Sequence, residues 1–502
     1  MRGACVFFRR PPALLGLIAL FCAAAGALGV MGAISPAQAL PSFARQTGQP
    51  CGTCHTDFPA LTPYGRRFKL LGYTTGGGKF RTTPFGGEDF RAAADRLRGF
   101  VDAPDSGDGG KVWVPPVSMM AIAGFTHTQA PLTPPTAPYG TNENWVLANP
   151  FSVFWGGAVS EHIGAFAQVT YAPPGPGDFA TQFGHTWTWD NTDIRYADQI
   201  SIGPVDIIYG ITANNNPTVQ DLWNTTPAWA FPYTTSNIAP TPATGTLLEG
   251  AFAAHVGGVG AYVYLNDALY LEATAYKTLD FKQQNAVGTN PFDAPGLFEN
   301  AAPYWRAAYE PHWGNHYLMV GTFGMMANVH PWVDSSFVLG STAVVPQTDK
   351  YTDAGFDTQY QYQGENYWFT MRGSYIREYQ NLDASFANGF SANQNNQLSS
   401  LHLQTSLALG GDNRFVLTGQ YFDIEGTPDP ILYGGLASGF SPNSNGWMAE
   451  LAYIPFGVNP APGWPWFNAR IALDYIVYEK FDGTKLGASG NNTLFLSFWL
   501  AM

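Results

Sequence analysis

The chain has 502 residues and a formal net charge of −13, with 12% charged, 45% hydrophobic and 15% aromatic residues. A soluble globular protein carries about twice that share of charge, and beyond the N-terminus no apolar run is long enough to cross a membrane as a helix. Few charges, 56 glycines and many aromatics exclude a helical membrane protein and fit a cytosolic enzyme poorly, but they suit a barrel that alternates apolar and polar residues in a bilayer.

At the N-terminus, Arg2, Arg9 and Arg10 precede an uncharged stretch from Ala13 to Ile34, closed by Ala37-Gln38-Ala39, an A-x-A cleavage site. The stretch exceeds the ~7–15 residues usual for a signal core, which leaves a retained membrane anchor as the alternative. Residues 1–39 read as a signal peptide cut before Leu40. Three arginines leave with it, so the mature chain is more acidic still. That acidity disfavours nucleic acid and anionic lipid surfaces as partners and favours cations.

Cys5 and Cys22 lie in the signal, so the mature chain keeps only Cys51 and Cys54, within Cys51-Gly52-Thr53-Cys54-His55. This is the c-type haem attachment pattern: two thiols add to the two vinyl groups of one haem, and the adjacent imidazole reaches the iron. A structural zinc site wants four ligands, and no further cysteines exist to supply them. A redox dithiol wants a thioredoxin-like βαβ pattern, which is not visible. A structural disulfide stays open for an exported chain. Residues 40–116 form the expected haem segment, with a helix-like stretch near Glu88–Phe100 and a flexible link at Asp102–Gly110.

From Val117 to Met502 the pattern becomes segments of about ten residues with period-two alternation. Ala469, Ile471, Leu473, Tyr475 and Val477 share one face, and Asn468, Arg470, Ala472 and Asp474 the other. Leu401, Leu403, Leu407 and Leu409 oppose His402, Gln404 and Ser406; Trp305 and Tyr309 oppose Arg306. Strands are expected to start near Val117, Phe151, Ile163, Thr186, Val205, Ala251, Ala268, Tyr304, His316, Tyr351, Asn366, Leu398, Asn413, Asn445, Trp466 and Asn492. Long connections, such as 129–150 and 214–250, alternate with short ones, such as Ser160–His162, Asp198–Pro204 and Asn266-Asp267. Short periplasmic turns alternating with long outer loops mark an outer-membrane barrel. The expected fold is all-β: a 16-stranded antiparallel outer-membrane barrel, both ends periplasmic, with the haem segment plugging or abutting the lumen.

The usual sixth ligand of an electron-transfer c haem is Met or His, yet no His or Met lies between Thr56 and Ser118. A six-coordinate haem then needs a ligand from the barrel. Met120 is the first candidate, because Ser118, Met120, Gly124, Thr126 and Thr128 form the more polar, lumenal face of the first strand. Met119 and His127 are near in sequence; His255, His402 and Met371 are rivals, and a five-coordinate haem is also open.

The run from Leu40 through Cys51-Gly-Thr-Cys54-His55 to Pro59, Leu61, Thr62, Gly65-Arg66, Phe68-Lys69 and Gly72-Tyr73 resembles the fused porin–cytochromes, the monohaem outer-membrane cytochromes of iron-oxidising bacteria. Asn214-Asn-Asn-Pro217 through Trp223 to Trp229 is a second match, and Ala302 to Glu310 a weaker third. The resemblance implies one covalently bound haem c at Cys51, Cys54 and His55. It also implies electron transfer from extracellular Fe(II) to a periplasmic c-type cytochrome, an Fe(II):cytochrome c oxidoreductase activity. A conduit for another external donor or acceptor, or a haem-plugged solute porin, are the alternatives.

Overall fold

The computed structural model describes residues 40–74, 100–102, 111–132, 141–146, 150–171, 187–333, 344–434, 440–458 and 464–502. The signal segment, residues 88–99 of the helix-like stretch and residues 103–110 of the link lie outside the described residues. Phe100–Asp102 and Lys111–Trp113, which bracket that link, pair as a two-stranded ribbon.

Successive side chains of a strand point to opposite faces, so segments of alternating polarity can wall off lipid from lumen only as a closed sheet. Sixteen antiparallel strands do so here. They are β1 (Val117–Thr128), β2 (Glu143–Val146 and Phe151–Ala158), β3 (Ile163–Tyr171), β4 (Trp187–Ile202), β5 (Val205–Asn214) and β6 (Val256–Leu265). Next come β7 (Leu269–Thr278), β8 (Gly296–Phe298, Ala302–Tyr309 and His312–Trp313), β9 (His316–Pro331), β10 (Asp349–Gln363) and β11 (Tyr367–Asn381). The last five are β12 (Asn395–Leu409), β13 (Phe415–Gly426), β14 (Ser444–Tyr453), β15 (Asn468–Lys480) and β16 (Thr493–Ala501). β16 closes the barrel on β1, with Thr493 opposite Thr128 and Ala501 opposite Met120.

Three boundaries differ from expectation. β2 is broken into two pieces, both paired with β1. β4 runs on to Ile202 and turns at Gly203-Pro204, with Gly203 at φ 62°, so Asp198 to Ile202 are strand rather than turn. β6 begins at Val256 instead of Ala251, because residues 247–255 form a helical turn and bends, with Gly250 at φ 102°.

The polarity of the two faces follows the sequence. Asn468, Arg470, Ala472 and Asp474 of β15 are buried inward. Leu403, Tyr309 and Phe356 are at least half exposed on the outer face. Inward polar residues are buried because the lumen is filled by two segments of the chain itself.

The first filling is residues 40–74. Helix α1 (Pro41–Thr47) has proline in its first turn and ends on Gly48 in the left-handed region. The short α2 (Cys51–Cys54) and α3 (Pro63–Leu70) follow; Thr62 caps α3 by accepting from the Gly65 amide. This plug is bonded around the circumference at the short-turn end. The Ser42 amide donates to Ser118 Oγ of β1 at 2.9 Å, and Gln46 to the Gly156 carbonyl of β2 at 2.8 Å. Tyr262 of β6 donates to the Leu70 carbonyl at 2.6 Å and Gln361 of β10 to that of Leu61 at 3.1 Å. Arg66 pairs with Glu310, and Asp57 with Arg470 of β15.

The second filling is the connection 215–255, expected as an outer loop but folded into the lumen. Residues from Asn215 to Thr226 are buried. Arg306 of β8 lies 3.4 Å from Asp221 of this loop and 2.6 Å from Asp357. Arg372 of β11 donates to the Trp223 carbonyl at 3.0 Å. A polar wall requires such a polar partner: each buried guanidinium would otherwise carry a large desolvation cost.

Candidate functional site

A cavity of about 570 Å³ lies between the plug, the inward loop and the wall of β1–β4 and β16. Cys51, Cys54, His55, Phe58 and Phe68 line it from the plug. Met120, Ile122, Phe154, Phe166 and Trp499 line it from the wall, and Asn224, Trp229 and Tyr233 from the loop. Phe68, Tyr73, Phe154 and Phe166 form an apolar cluster against which Phe43, Met120 and Trp229 pack. Other buried apolar clusters, such as that of Leu248, Phe252, Tyr304 and Phe323, lie elsewhere in the barrel, but this one borders the cavity.

The helical turn of α2 puts Cys51 and Cys54 three positions apart, on one face of the turn. Their sulfurs are not joined to each other. α3 presses on this turn through Gly65: a Cβ there would stand 2.2 Å from the Cys54 carbonyl oxygen. Only glycine permits that approach. His55 leaves the helix with extended backbone, and its Nδ1 faces the Pro59 carbonyl at 3.3 Å. A carbonyl held on one ring nitrogen fixes the ring and leaves Nε2 for a metal.

Burial holds both kinds of group neutral. It pushes the His55 imidazole down to about 4, against smaller opposing effects of the Pro59 and Ala60 carbonyls and of Asp57. Burial, with the neighbouring Cys51, pushes the Cys54 thiol up to about 12. Among the described residues no group of three or more His, Cys, Asp or Glu could hold a bare metal ion. Two sulfurs and an imidazole that share a cavity without converging on one point suit a haem, whose thioethers form at the ring edge and whose iron sits at the centre. They do not suit tetrahedral zinc.

Met120 is on the inward face and packs against the apolar cluster at the cavity wall. Met119 also borders the cavity, but it has the outward parity and is 41% exposed. His127 has outward parity near the far end of β1, 3.8 Å from Glu143, and does not border the cavity. Neither do His255, bonded to Gln284 at 2.7 Å, nor His402, 3.3 Å from Glu249, nor Met371 on the outer face.

Lys69 and Asn224 also border the site. Lys69 Nζ donates to the Val219 and Asp221 carbonyls, both at 2.7 Å, and sits 4.7 Å over the Trp229 ring. Burial, aided by Arg195, pushes its ammonium down to about 7. Asn224 accepts from the Leu61 amide at 3.1 Å. Lys69 belongs to the first run that matches the porin–cytochromes and Asn224 to the second, the Asn-Asn-Asn-Pro to Trp229 run, which the structure folds inward.

A closed sixteen-stranded antiparallel barrel with an apolar outer face is a membrane barrel of the outer-membrane kind. No protein-family profile matches the sequence, and no curated protein does. Among solved structures, it is similar to the outer membrane channel DcaP of Acinetobacter baumannii, at 10% identity over 77% of this chain and 96% of that one, TM-score 0.42. It is also similar to an anion-selective porin from Comamonas acidovorans, at 9% identity over 77% and 98%, TM-score 0.41. OmpT of Vibrio cholerae is a further neighbour, at 8% identity over 77% and 95%, TM-score 0.38.

Proposed function

We propose that the chain is an outer-membrane electron conduit carrying one covalent haem c, which takes electrons from extracellular Fe(II) and passes them to a periplasmic c-type cytochrome. The observation that carries this reading is the placing of Cys51, Cys54 and His55 together on the wall of an apolar cavity inside a filled barrel. Cys51 and Cys54 would hold the porphyrin edge and His55 Nε2 the iron, with Met120 as the distal candidate. When bound, the haem supplies a one-electron change that matches the Fe(II)/Fe(III) couple.

The chain's own residues exclude water and ions from that site. Phe43, Phe68, Phe154 and Phe166 dry the chamber, and axial ligation with burial tunes such a centre. Plug and inward loop fill the lumen, so charge crosses where solutes do not. The short-turn rim bearing the plug then faces the periplasm and the long connections face outward. The chain's net negative charge would gather cations at the mouth.

The test is to mix purified, oxidised holoprotein with Fe(II) and follow the haem absorption bands. Reduction on a catalytic timescale supports the reading. Covalent haem that Fe(II) leaves oxidised, but another donor reduces, reassigns the external partner. Protein purified from a haem-competent host without covalent haem rejects the conduit.

A further inference from the structure

Glu450 of β14 and Asp474 of β15 are directly opposed across the strand pair, on the inward face. Both are buried, Glu450 at 4% and Asp474 at 1% exposure. Directly opposed side chains of an antiparallel pair stand about 4.5–5.5 Å apart at Cβ, so the two carboxyl groups face each other at close range. Neither oxygen of Asp474 meets a donor. Two carboxylates offer only acceptors, and like charges at such range cannot both ionise cheaply. A contact of this kind is a hydrogen bond only if one group carries a proton.

The surroundings supply one cation and no donor for Asp474. Arg470 donates to Glu450 at 2.6 Å and to Asp57 of the plug at 3.2 and 3.1 Å. One guanidinium therefore serves two carboxyl groups, and its hydrogen bonds do not reach Asp474. From β16 the residue opposite Asp474 is Phe495, and from β13 the residue opposite Glu450 is Thr418. The inward loop contributes Tyr233, whose phenol is within electrostatic reach of Glu450. The other opposed pair of this sort, Asp353 and Glu378, differs: each accepts a loop amide, from Leu248 at 3.0 Å and Leu247 at 2.5 Å.

We propose that Glu450 and Asp474 form a proton-binding site that holds one proton between them, and that its affinity depends on the charge state of the haem site through Arg470 and Asp57. This rests on the conduit reading above. Asp57 is two residues from His55, and Arg470 bridges it to Glu450, so the ion chain runs without a break from the plug to the pair. A reduced haem, one positive charge poorer, would let the pair hold its single proton more tightly, so that a larger fraction of molecules would carry it, taken up from water. When the electron leaves, that uptake reverses. Charge inside a low-dielectric barrel is thereby partly balanced.

The experiment is a redox titration of the holoprotein between pH 5 and 8, for wild type, Asp474→Asn and Glu450→Gln. The wild-type midpoint potential falls as pH rises. A tenfold difference in proton affinity between the two oxidation states corresponds to about 59 mV. Either variant flattens the slope, since the carboxyl that remains faces an amide donor instead of a second carboxylate and no longer needs a proton there. A wild-type potential independent of pH, or an unchanged slope in both variants, overturns the proposal while leaving the haem in place. Infrared spectroscopy at pH 7 gives a second readout, with or without haem. A protonated-carboxyl stretch that shifts in heavy water and is lost in Asp474→Asn is expected. Its absence from wild type rejects the shared proton, even if a variant fails to assemble. Because Asp353 and Glu378 are intact in the variants, the difference spectrum isolates this pair.

Discussion

The carboxylate of Asp57 accepts two hydrogen bonds from Arg470, 413 residues away in the chain, at 3.2 and 3.1 Å, and both side chains are buried. The plug is therefore seated by a buried ion pair as well as by apolar contact. Breaking such a pair by removing one partner costs about 3–5 kcal/mol, because the other charge is left uncompensated. Arg470→Met strands Asp57 and Glu450 together and is expected at the upper end; Asp57→Asn leaves Arg470 with Glu450 and costs less. Thermal unfolding in detergent, followed by circular dichroism, measures the order. Equal melting of the two variants and wild type contradicts it.

A filled lumen has an electrical consequence. Plug residues bond to the wall in β1, β2, β6, β10 and β15, and the inward loop bonds to β8 and β11. Wild-type protein in a planar bilayer is expected to pass little ion current. The double variant Arg66→Met, Arg470→Met removes two of the charged seats of the plug, Glu310 and Asp57 being their partners. It is expected to show frequent opening with unchanged strand content. Wild-type conductance as large as that of an open sixteen-stranded porin would count against the conduit and favour a solute channel.

For the proposed haem, Gly65 would separate barrel stability from cofactor loading. Its added Cβ would meet backbone, the Cys54 carbonyl at 2.2 Å, and backbone cannot swing aside as a side chain would. Gly65→Ala must push α3 off the attachment turn. The expected result is a folded barrel with a several-fold lower ratio of haem absorbance to protein. An unchanged ratio would mean that the turn tolerates the displacement.

The strands were legible because one variable, polarity at alternate positions, is read directly by the pleat. Arg306, Gln404 and Arg470 face inward, and Tyr309, Leu403 and Tyr475 outward, as their parity implies. What parity does not encode is where a connection goes. The 215–255 segment has the Gly, Pro and Asn content of a surface loop, yet Asp221 and Trp223 are drawn inward by Arg306 and Arg372, wall residues that no local window contains. The same limit applied to the plug. Cys51, Cys54 and His55 stand out by spacing alone, and the structure brings them to one cavity, whereas Lys69 acquires its place only from the carbonyls of Val219 and Asp221.

Lys69 gives the chain a pH dependence with a definite sign. Burial first, then Arg195, lowers its ammonium to about 7 in the folded protein, against the ordinary ~10.4 of an unfolded lysine. Between those values the unfolded chain holds a proton that the folded chain has released, so stability rises with pH across that window. Below pH 7 both states bind it and the contribution to the slope vanishes. Lys69→Met is expected to flatten the rise in melting temperature from pH 7 to 10. A wild-type melting temperature that is level or falling over that range, unaltered by the substitution, would show that the ammonium stays protonated against its two carbonyls.

For the proposed haem, the distal ligand is the sharpest remaining test of how the cavity works. Met120 and Met119 both border it, but strand pleating sends them to opposite faces, and only Met120 packs among Phe68, Phe154 and Phe166. A thioether on the iron must come from the inward face, so Met120→Ala is expected to convert a six-coordinate spectrum to a five-coordinate or water-ligated one. Met119→Ala and His127→Ala are expected to leave it unchanged, the latter because His127 lies outside the cavity beside Glu143. Loss of a thioether ligand also lowers the potential, since methionine ligation raises it, so absorption and redox titration must move together. A spectrum indifferent to all three substitutions would place the sixth ligand on the plug or the inward loop, or leave the iron five-coordinate and open to small molecules.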